Sequence, residues 1–312
     1  MSKSIAIIGA GMAGLACAME LARLGHRPML FDKGRGPGGR MATRRVEIDG
    51  AETRFDHGAQ YFTARDPRFL HAIEGWHSAG YVAPWPAAGE GAFVGTPGMN
   101  APLRQMAQFF NVQWGMEIDA VLHDIHTWHL RTGTTIFRAQ QLVCAIPAEQ
   151  AAKLLAKEAP DFAAIAGQAK SQPCWALMVR FGAKLDLADC FRGEDIAWAA
   201  RNSSKPGRGD GEDWVLHASP AWSAQHLELS PEEIVPLLLA AFFAETGAAA
   251  EEPVHAAAHR WRYAMVERAE GSPALWDPAL ELGVCGDWLV GPRVESAFLS
   301  GLELAQSMVG NA

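Results

Sequence analysis

The strongest constraint in this chain is a glycine turn near its start. Ser4-Ile-Ala-Ile-Ile8, a short run of mostly β-branched residues, leads directly into Gly9-Ala-Gly-Met-Ala-Gly14, after which Leu15, Met19 and Ala22 recur at helical spacing. A G-x-G-x-x-G turn between a strand and a helix is built to receive a dinucleotide. Gly9 permits the sharp turn, Gly11 lets the backbone approach a pyrophosphate, and Gly14 lets helix and strand pack closely. The helix start, with Met12 and Ala13, offers unpaired N–H groups and a positive dipole end to the phosphates. Pro28-Met-Leu-Phe31 reads as the parallel strand that follows, and it ends in Asp32, eighteen residues past Gly14. A carboxylate there accepts hydrogen bonds from the adenosine ribose hydroxyls and repels a 2′-phosphate, so FAD or NAD is expected rather than NADP.

With 312 residues, 49% of them hydrophobic, the chain is long enough for about two domains. A net charge of −8 argues against a nucleic-acid backbone or an anionic membrane as the main partner. Cys17, Cys144, Cys174, Cys190 and Cys285 are odd in number and contain no C-x-x-C pair, which points away from a disulfide framework or zinc site and towards a reducing cytoplasm. The apolar stretch Ser4 to Met19 is interrupted by glycines, and Ile234 to Ala244 is too short to span a bilayer, so neither an export signal nor a membrane helix is expected.

The element pattern implies an α/β protein with a Rossmann-like dinucleotide-binding domain, its parallel sheet supplemented by a β-meander, and a second α+β substrate domain with an antiparallel sheet. Residues 60–100 read as loops and short helices, and Val112 to Ala145 as a meander returning to a buried strand. Three strand-like runs lie between 172 and 220, separated by a polar, Gly-rich loop at Ser203 to Asp213. Pro231 to Glu245 is a helix followed by Gly247. Glu281 to Cys285 and Val294 to Met308 return to the first sheet as strand and terminal helix. The expected division is 1–60, 96–160 and 281–312 for the dinucleotide-binding domain, and 61–95 and 161–280 for the substrate domain.

A second glycine-rich loop, Gly34-Arg-Gly-Pro-Gly-Gly-Arg-Met41, follows Asp32 and Lys33. It would lie against the phosphates and the flavin end, with arginine offsetting the pyrophosphate charge. With the late Gly286-Asp287-Trp288 turn, this resembles the glycine-glycine-arginine flavoprotein superfamily, which includes monoamine oxidases and phytoene desaturases. Within it the chain is similar to the renalases, particularly the bacterial ones, on Gly38-Gly39-Arg40-Met41, Phe55-Asp-His-Gly-Ala-Gln-Tyr-Phe62, Pro97-Gly-Met-Asn100, Ala145-Ile-Pro147, His259-Arg-Trp-Arg-Tyr-Ala264 and Gly286-Asp-Trp288 to Gly301.

That resemblance implies a noncovalent FAD enzyme that oxidises isomeric dihydronicotinamide dinucleotides to NAD(P)+, with O2 as electron acceptor and hydrogen peroxide as product. It implies cofactor contacts from Gly9, Gly11, Met12, Ala13, Gly14, Asp32, Lys33, Gly39, Arg40, Asp56, His57, Asp287, Val294 and Glu295. His57, Gln60, Tyr61, Arg260 and Arg262 become candidates for the substrate pocket, although in an alternating strand the two arginines share one face and Trp261 points the other way. The flavin performs the chemistry, and no acid–base catalyst is required. His123, His126 and His129 fall in strand-like sequence, His126 opposite the other two, so no metal site is expected. Two rivals stand: a flavin amine oxidase or desaturase, whose amine oxidase members usually carry a lysine near flavin N5, and a non-catalytic FAD-binding redox protein. Of this chain's seven lysines only Lys33 falls in a segment assigned to the flavin face.

Overall fold

The computed structural model describes residues 3–267 and 271–310. β1 (Ile5–Ile8) leads into α1 (Met12–Arg23), and β2 (Met29–Asp32) returns beside it. Next come β3 (Thr43–Ile48), β4 (Ala51–Asp56), α2 (Pro67–Ser78), β5 (Val82–Pro84), β6 (Phe93–Gly95) and α3 (Ala101–Ala107). β7 (Val112–Trp114), β8 (Ala120–Asp124), β9 (Thr127–Thr132), β10 (Thr135–Ala139) and β11 (Gln141–Cys144) precede α4 (Ala148–Leu155) and α5 (Pro160–Gln168). Then follow β12 (Lys170–Phe181), β13 (Cys190–Phe191), β14 (Ile196–Arg201), β15 (Glu212–Ala218), α6 (Pro220–Gln225), α7 (Pro231–Thr246) and β16 (Pro253–Glu267). β17 (Leu275–Asp277), β18 (Leu282–Val284) and α8 (Val294–Gly310) complete the chain's described part.

The architecture is the expected α/β class. A six-stranded sheet has the order β17-β18-β11-β1-β2-β7, parallel except for β17. β1 is apolar at every position and buried throughout, as a strand covered on both faces must be. A three-stranded meander, β10-β9-β8, stands beside this sheet, and a separate antiparallel sheet has the order β13-β14-β15-β12-β16. Trp175, Leu177 and Val179 on β12 pack with Ile234, Leu238 and Phe242 of α7. Met178 turns to the other side, where it meets Val215 and, from the β3–β4 hairpin, Ile48 and Phe55. The alternation of β12 thus gives one sheet two different covers.

Two elements exceed what the sequence reading expected. Residues 43–56 form the β3–β4 hairpin, turned by Asp49 and Gly50 with φ of 52° and 76°. That pair of left-handed residues matches the right-handed strand twist. Within 60–100, α2 is a twelve-residue helix whose first turn is set by the Asp66 carboxylate, which accepts from Arg68 N–H, and by Pro67 at its start. His126 lies in the turn between β8 and β9 rather than on the reverse face of one continuous strand. Among the described residues, no group of three or more His, Cys, Asp or Glu is arranged to hold a metal ion, and no helix is long and apolar enough to cross a membrane.

The glycine turn and the chain's last helix are joined by close backbone packing. A Cβ on Gly301 of α8 would stand 2.2 Å from the Ala13 carbonyl oxygen of α1. Gly9, at φ +101°, would clash likewise with the Ala145 carbonyl at 2.4 Å, so the turn is pressed against the end of β11. Gly301→Leu is expected to cost about 1–3 kcal/mol or more through overpacking. It should lower the thermal midpoint by several degrees, measured by circular dichroism; an unchanged midpoint would show that the two helices have room to spare.

Candidate active site

At the N-terminus of α1 the N-cap is Gly11, with no side-chain cap and no acidic residue in the first turn, leaving N–H donors open to an anion. A Cβ on Gly11 would meet nothing within 4 Å, and one on Gly39 would meet only the Gly11 Cα, at 3.7 Å. The two glycine loops therefore face each other across open space where side chains would intrude. Asp32 fastens both loops. Its Oδ2 accepts from Ala10 N–H at 2.7 Å and its Oδ1 from Gly34 N–H at 2.6 Å. Burial raises its pKa and these two N–H groups oppose that rise. Each oxygen keeps a lone pair for a ribose hydroxyl.

Arg40, in the second glycine loop, donates to Asp287 Oδ1 at 2.5 Å and so ties this loop to the turn after β18. Glu295, in the first turn of α8, accepts from Arg65 and Asp66 N–H at 2.5 and 2.8 Å. Its carboxylate is therefore engaged by the segment leading into α2, while α8 opens at Val294.

Beyond β4, residues 57–61 ride across one row of the antiparallel sheet. By register the row runs Trp198 on β14, His217 on β15, Ala176 on β12 and His259 on β16, with Trp261 two positions along β16. The His57 carbonyl accepts from Trp261 Nε1 at 2.8 Å, and His217 Nε2 lies 3.2 Å from it. The His57 ring stacks on Trp261 at 5.2 Å and meets His259 edge-on at 4.8 Å. Tyr61 lies 5.4 Å from the Trp198 ring. Burial, helped by His259 and Arg44, pushes His57 down to about 3. Burial pushes His217 to about 4, and burial with Arg44 pushes His259 to about 4. The wall is aromatic and uncharged at neutral pH.

Behind this loop is a fully buried ion cluster. Asp56 accepts from Arg208 Nη2 at 2.5 Å, Thr43 Oγ1 at 2.8 Å, Met99 N–H at 2.9 Å and Lys205 Nζ at 3.3 Å. Lys205 also donates to Gln60 Oε1 at 3.1 Å, and Gln60 Nε2 donates to the Asp56 and Gly58 carbonyls. Burial alone would raise the Asp56 carboxyl, but Lys205 and Arg208 outweigh it and hold it at about 2. One carboxylate serves two buried cations. Lys205, for which burial outweighs the attraction of Asp56, is pushed down to about 8.

Residues 7–74 match the NAD(P)-binding Rossmann-like domain family, and residues 81–309 match the flavin containing amine oxidoreductase family. The chain belongs to the flavin-containing amine oxidoreductases. Its fold is also that of several solved structures. A putative protoporphyrinogen oxidase from Exiguobacterium sp. 255-15 superposes with a TM-score of 0.79 at 11% identity, covering 100% of both chains. Cyclohexylamine oxidase from Brevibacterium oxydans IH-35A gives 0.73 at 14% identity, over 100% of this chain and 99% of the other. A putrescine oxidase mutant, A394C, gives 0.76 at 14%, over 99% of each. Membership in the flavin-containing amine oxidoreductases implies a flavin cofactor, and the Gly11–Gly39 opening at an uncapped helix start fits its diphosphate.

The fold of this flavin-containing amine oxidoreductase gathers Gly9, Gly11, Met12, Ala13, Gly14, Asp32, Gly39, Arg40 and Asp287 around that opening; Lys33 is exposed and donates to Gln150 at 3.3 Å. It brings His57, Gln60 and Tyr61 together along the sheet. Arg260 and Arg262 lie apart from these residues: they occupy the opposite face of β16, both within ion-pair distance of Glu228, with Arg260 over the Trp175 ring. Strand alternation sends Trp261 and His259 inward instead. Asp56 is likewise engaged wholly by its buried partners. The sequence reading missed Lys205 and Arg208, which the polar Gly-rich loop carries into the interior, so a lysine does stand beside the 57–61 loop.

Two outcomes test this geometry. Asp32→Ala removes the acceptor of the two backbone N–H groups that fasten the glycine loops, and at about 1.5–3 kcal/mol for bonds to a charged group it should weaken flavin retention roughly 10- to 100-fold. Flavin absorbance after gel filtration reads this, and full retention would remove Asp32 from the cradle. The buried imidazoles carry depressed folded pKa values, so the unfolded chain takes up protons first as pH falls below about 6.5. Stability should therefore change little around pH 7 and decline between pH 6.5 and 5, above the carboxylate range, with a smaller decline in His259→Gln. A midpoint constant across that interval would contradict neutral burial.

Proposed function

We propose that this protein is an oxidase with noncovalently bound FAD that converts isomeric dihydronicotinamide dinucleotides, 2- or 6-dihydro-NAD(P), to NAD(P)+, using O2 and releasing H2O2. FAD, when bound, supplies the electron-pair acceptor at N5 and the route to oxygen. No cysteine lies in 286–301, the segment of the late glycine turn and terminal helix, in keeping with a noncovalent cofactor. The chain's task in such a reaction is to hold two flat rings in line and keep water out, with no proton to remove. The neutral wall of His57, His217, His259 and Trp261 suits that task.

One observation carries the choice of substrate. Two tryptophan faces that would bind a cationic amine are already occupied by the chain's own cations. The Arg192 guanidinium lies 4.3 Å from the Trp198 ring centre, and Lys205 Nζ lies 5.2 Å from that of Trp85. Asp56, the carboxylate behind the loop, is engaged by Lys205 and Arg208. The adjoining cavity, lined by Ala87, Ala88, Cys190, Phe191, Arg192 and Trp198, includes no acidic residue. An ammonium group would meet like charge here, whereas a phosphate-bearing nucleotide meets attraction.

Anaerobic titration of the yellow holoprotein with 2-dihydro-NADH, 6-dihydro-NADH, ordinary NADH, putrescine and cyclohexylamine tests the reading by flavin absorbance. Rapid bleaching is expected from one or both isomeric dihydronicotinamides. Bleaching by an amine alone would overturn it in favour of an amine oxidase, and bleaching by none would leave a redox-silent flavoprotein.

A further inference from the structure

We propose that Arg192, with Tyr61 and Trp198, forms a phosphate-recognition subsite that takes the phosphate nearest the nicotinamide ring of the substrate; this rests on the function proposed above. Arg192 is the one cation lining a cavity of about 310 Å³. That volume sits at the small end of ligand clefts, large enough for one nucleotide half rather than a whole dinucleotide.

Three features mark this exposed guanidinium as a binding group. First, its plane is held: it lies over the Trp198 ring at 4.3 Å, and Nη2 donates to the Tyr61 hydroxyl at 3.3 Å. A stacked guanidinium keeps its N–H edge free, and that edge matches the oxygens of a phosphate. Second, no carboxylate lies within ion-pair distance of it among the described residues, although Arg180, Arg201 and Arg208 nearby in sequence each have one. Glu194 and Asp195 are exposed acids beyond ion-pair distance of it, and two further acids of this region are engaged elsewhere. Asp189 pairs with Arg201, and the Glu245 carboxylate accepts from the N–H groups of Glu194 and Asp195 at 3.1 and 2.7 Å. Third, that Glu245 contact pins the loop carrying Arg192. A Cβ on Gly193 would lie 1.8 Å from Glu245 Oε2, so carboxylate and backbone are in close apposition and the arginine is presented without a loop-ordering cost. The neighbouring Cys190 is held as the neutral thiol, burial pushing it up to about 11, and adds no negative charge to the cavity.

Tyr61 connects this subsite to the chemistry, because it closes the 57–61 loop whose first residue stacks on Trp261. A nicotinamide nucleotide entering past Arg192 would leave its phosphate at the guanidinium and direct its ring towards the Tyr61 end of the 57–61 loop.

The test compares wild type, Arg192→Gln and Arg192→Lys with two substrates that differ only in the phosphate-bearing half: an isomeric dihydronicotinamide dinucleotide and the corresponding dihydronicotinamide riboside. In parallel, isothermal calorimetry measures binding of oxidised nicotinamide mononucleotide and oxidised nicotinamide riboside to the oxidised holoprotein. Arg192→Gln should raise KM for the dinucleotide, and Kd for the mononucleotide, roughly 10- to 100-fold, the range of a lost charged hydrogen bond, with the riboside values changed less than about threefold. Arg192→Lys should recover part of the loss. Equal effects on phosphate-bearing and phosphate-free ligands, or no effect on either, would overturn the subsite even if flavin reduction proceeds. If no dihydronicotinamide reduces the flavin but the mononucleotide preference and its loss in Arg192→Gln persist, the substrate reading fails while the subsite stands.

Discussion

The Asp56 carboxylate is the point on which the site's geometry depends. It stands at the end of the β3–β4 hairpin, and it collects donors from Thr43, from Met99 beyond β6, and from Lys205 and Arg208 in the loop after β14. These segments belong to separate parts of the sequence and meet at this one carboxylate. Burying a carboxylate with two cations is costly unless the geometry is filled with hydrogen bonds. Here Asn202 completes the set by accepting from the Asp56 N–H and donating to the Arg54 carbonyl. The loop from His57 to Tyr61 begins one residue after this anchor, so its path across the sheet is inherited from the charge cluster beneath.

A second tie acts at the level of the two sheets. Arg40 reaches Asp287, Glu295 reaches the backbone before α2, and Gly301 lets α8 lie on α1. The N-terminal glycine turn is thus enclosed by elements nearly three hundred residues away. Arg40 and Asp287 are paired with each other, so neither stands as an isolated charge beside the cradle.

What was legible in the sequence follows from how local the signal is. The β1–α1–β2 unit and Asp32 could be read because the turn, the helix period and the acid all lie within one supersecondary unit. The β3–β4 hairpin was obscured by its charge: Thr43-Arg-Arg-Val-Glu-Ile alternates only weakly, and the informative signal was the Asp49-Gly50 pair. Lys205 and Arg208 were hidden for a physical reason. A stretch of Ser, Lys, Gly and Arg looks solvated, and only a partner some 150 positions earlier makes its burial favourable. For β16 the period placed Arg260 and Arg262 on one face and Trp261 on the other, but the choice of inward face depended on Glu228, which lies outside the strand.

The position of α8 has a consequence for how this molecule is made. The apolar side of α1 is made long before its covering helix α8, and β18 joins the central sheet only shortly ahead of that helix. The nascent chain must therefore carry an open nucleotide cradle and an unshielded hydrophobic surface until α8 has emerged. Capture of the flavin waits on α8, and loss of that helix would leave the cradle without its lid.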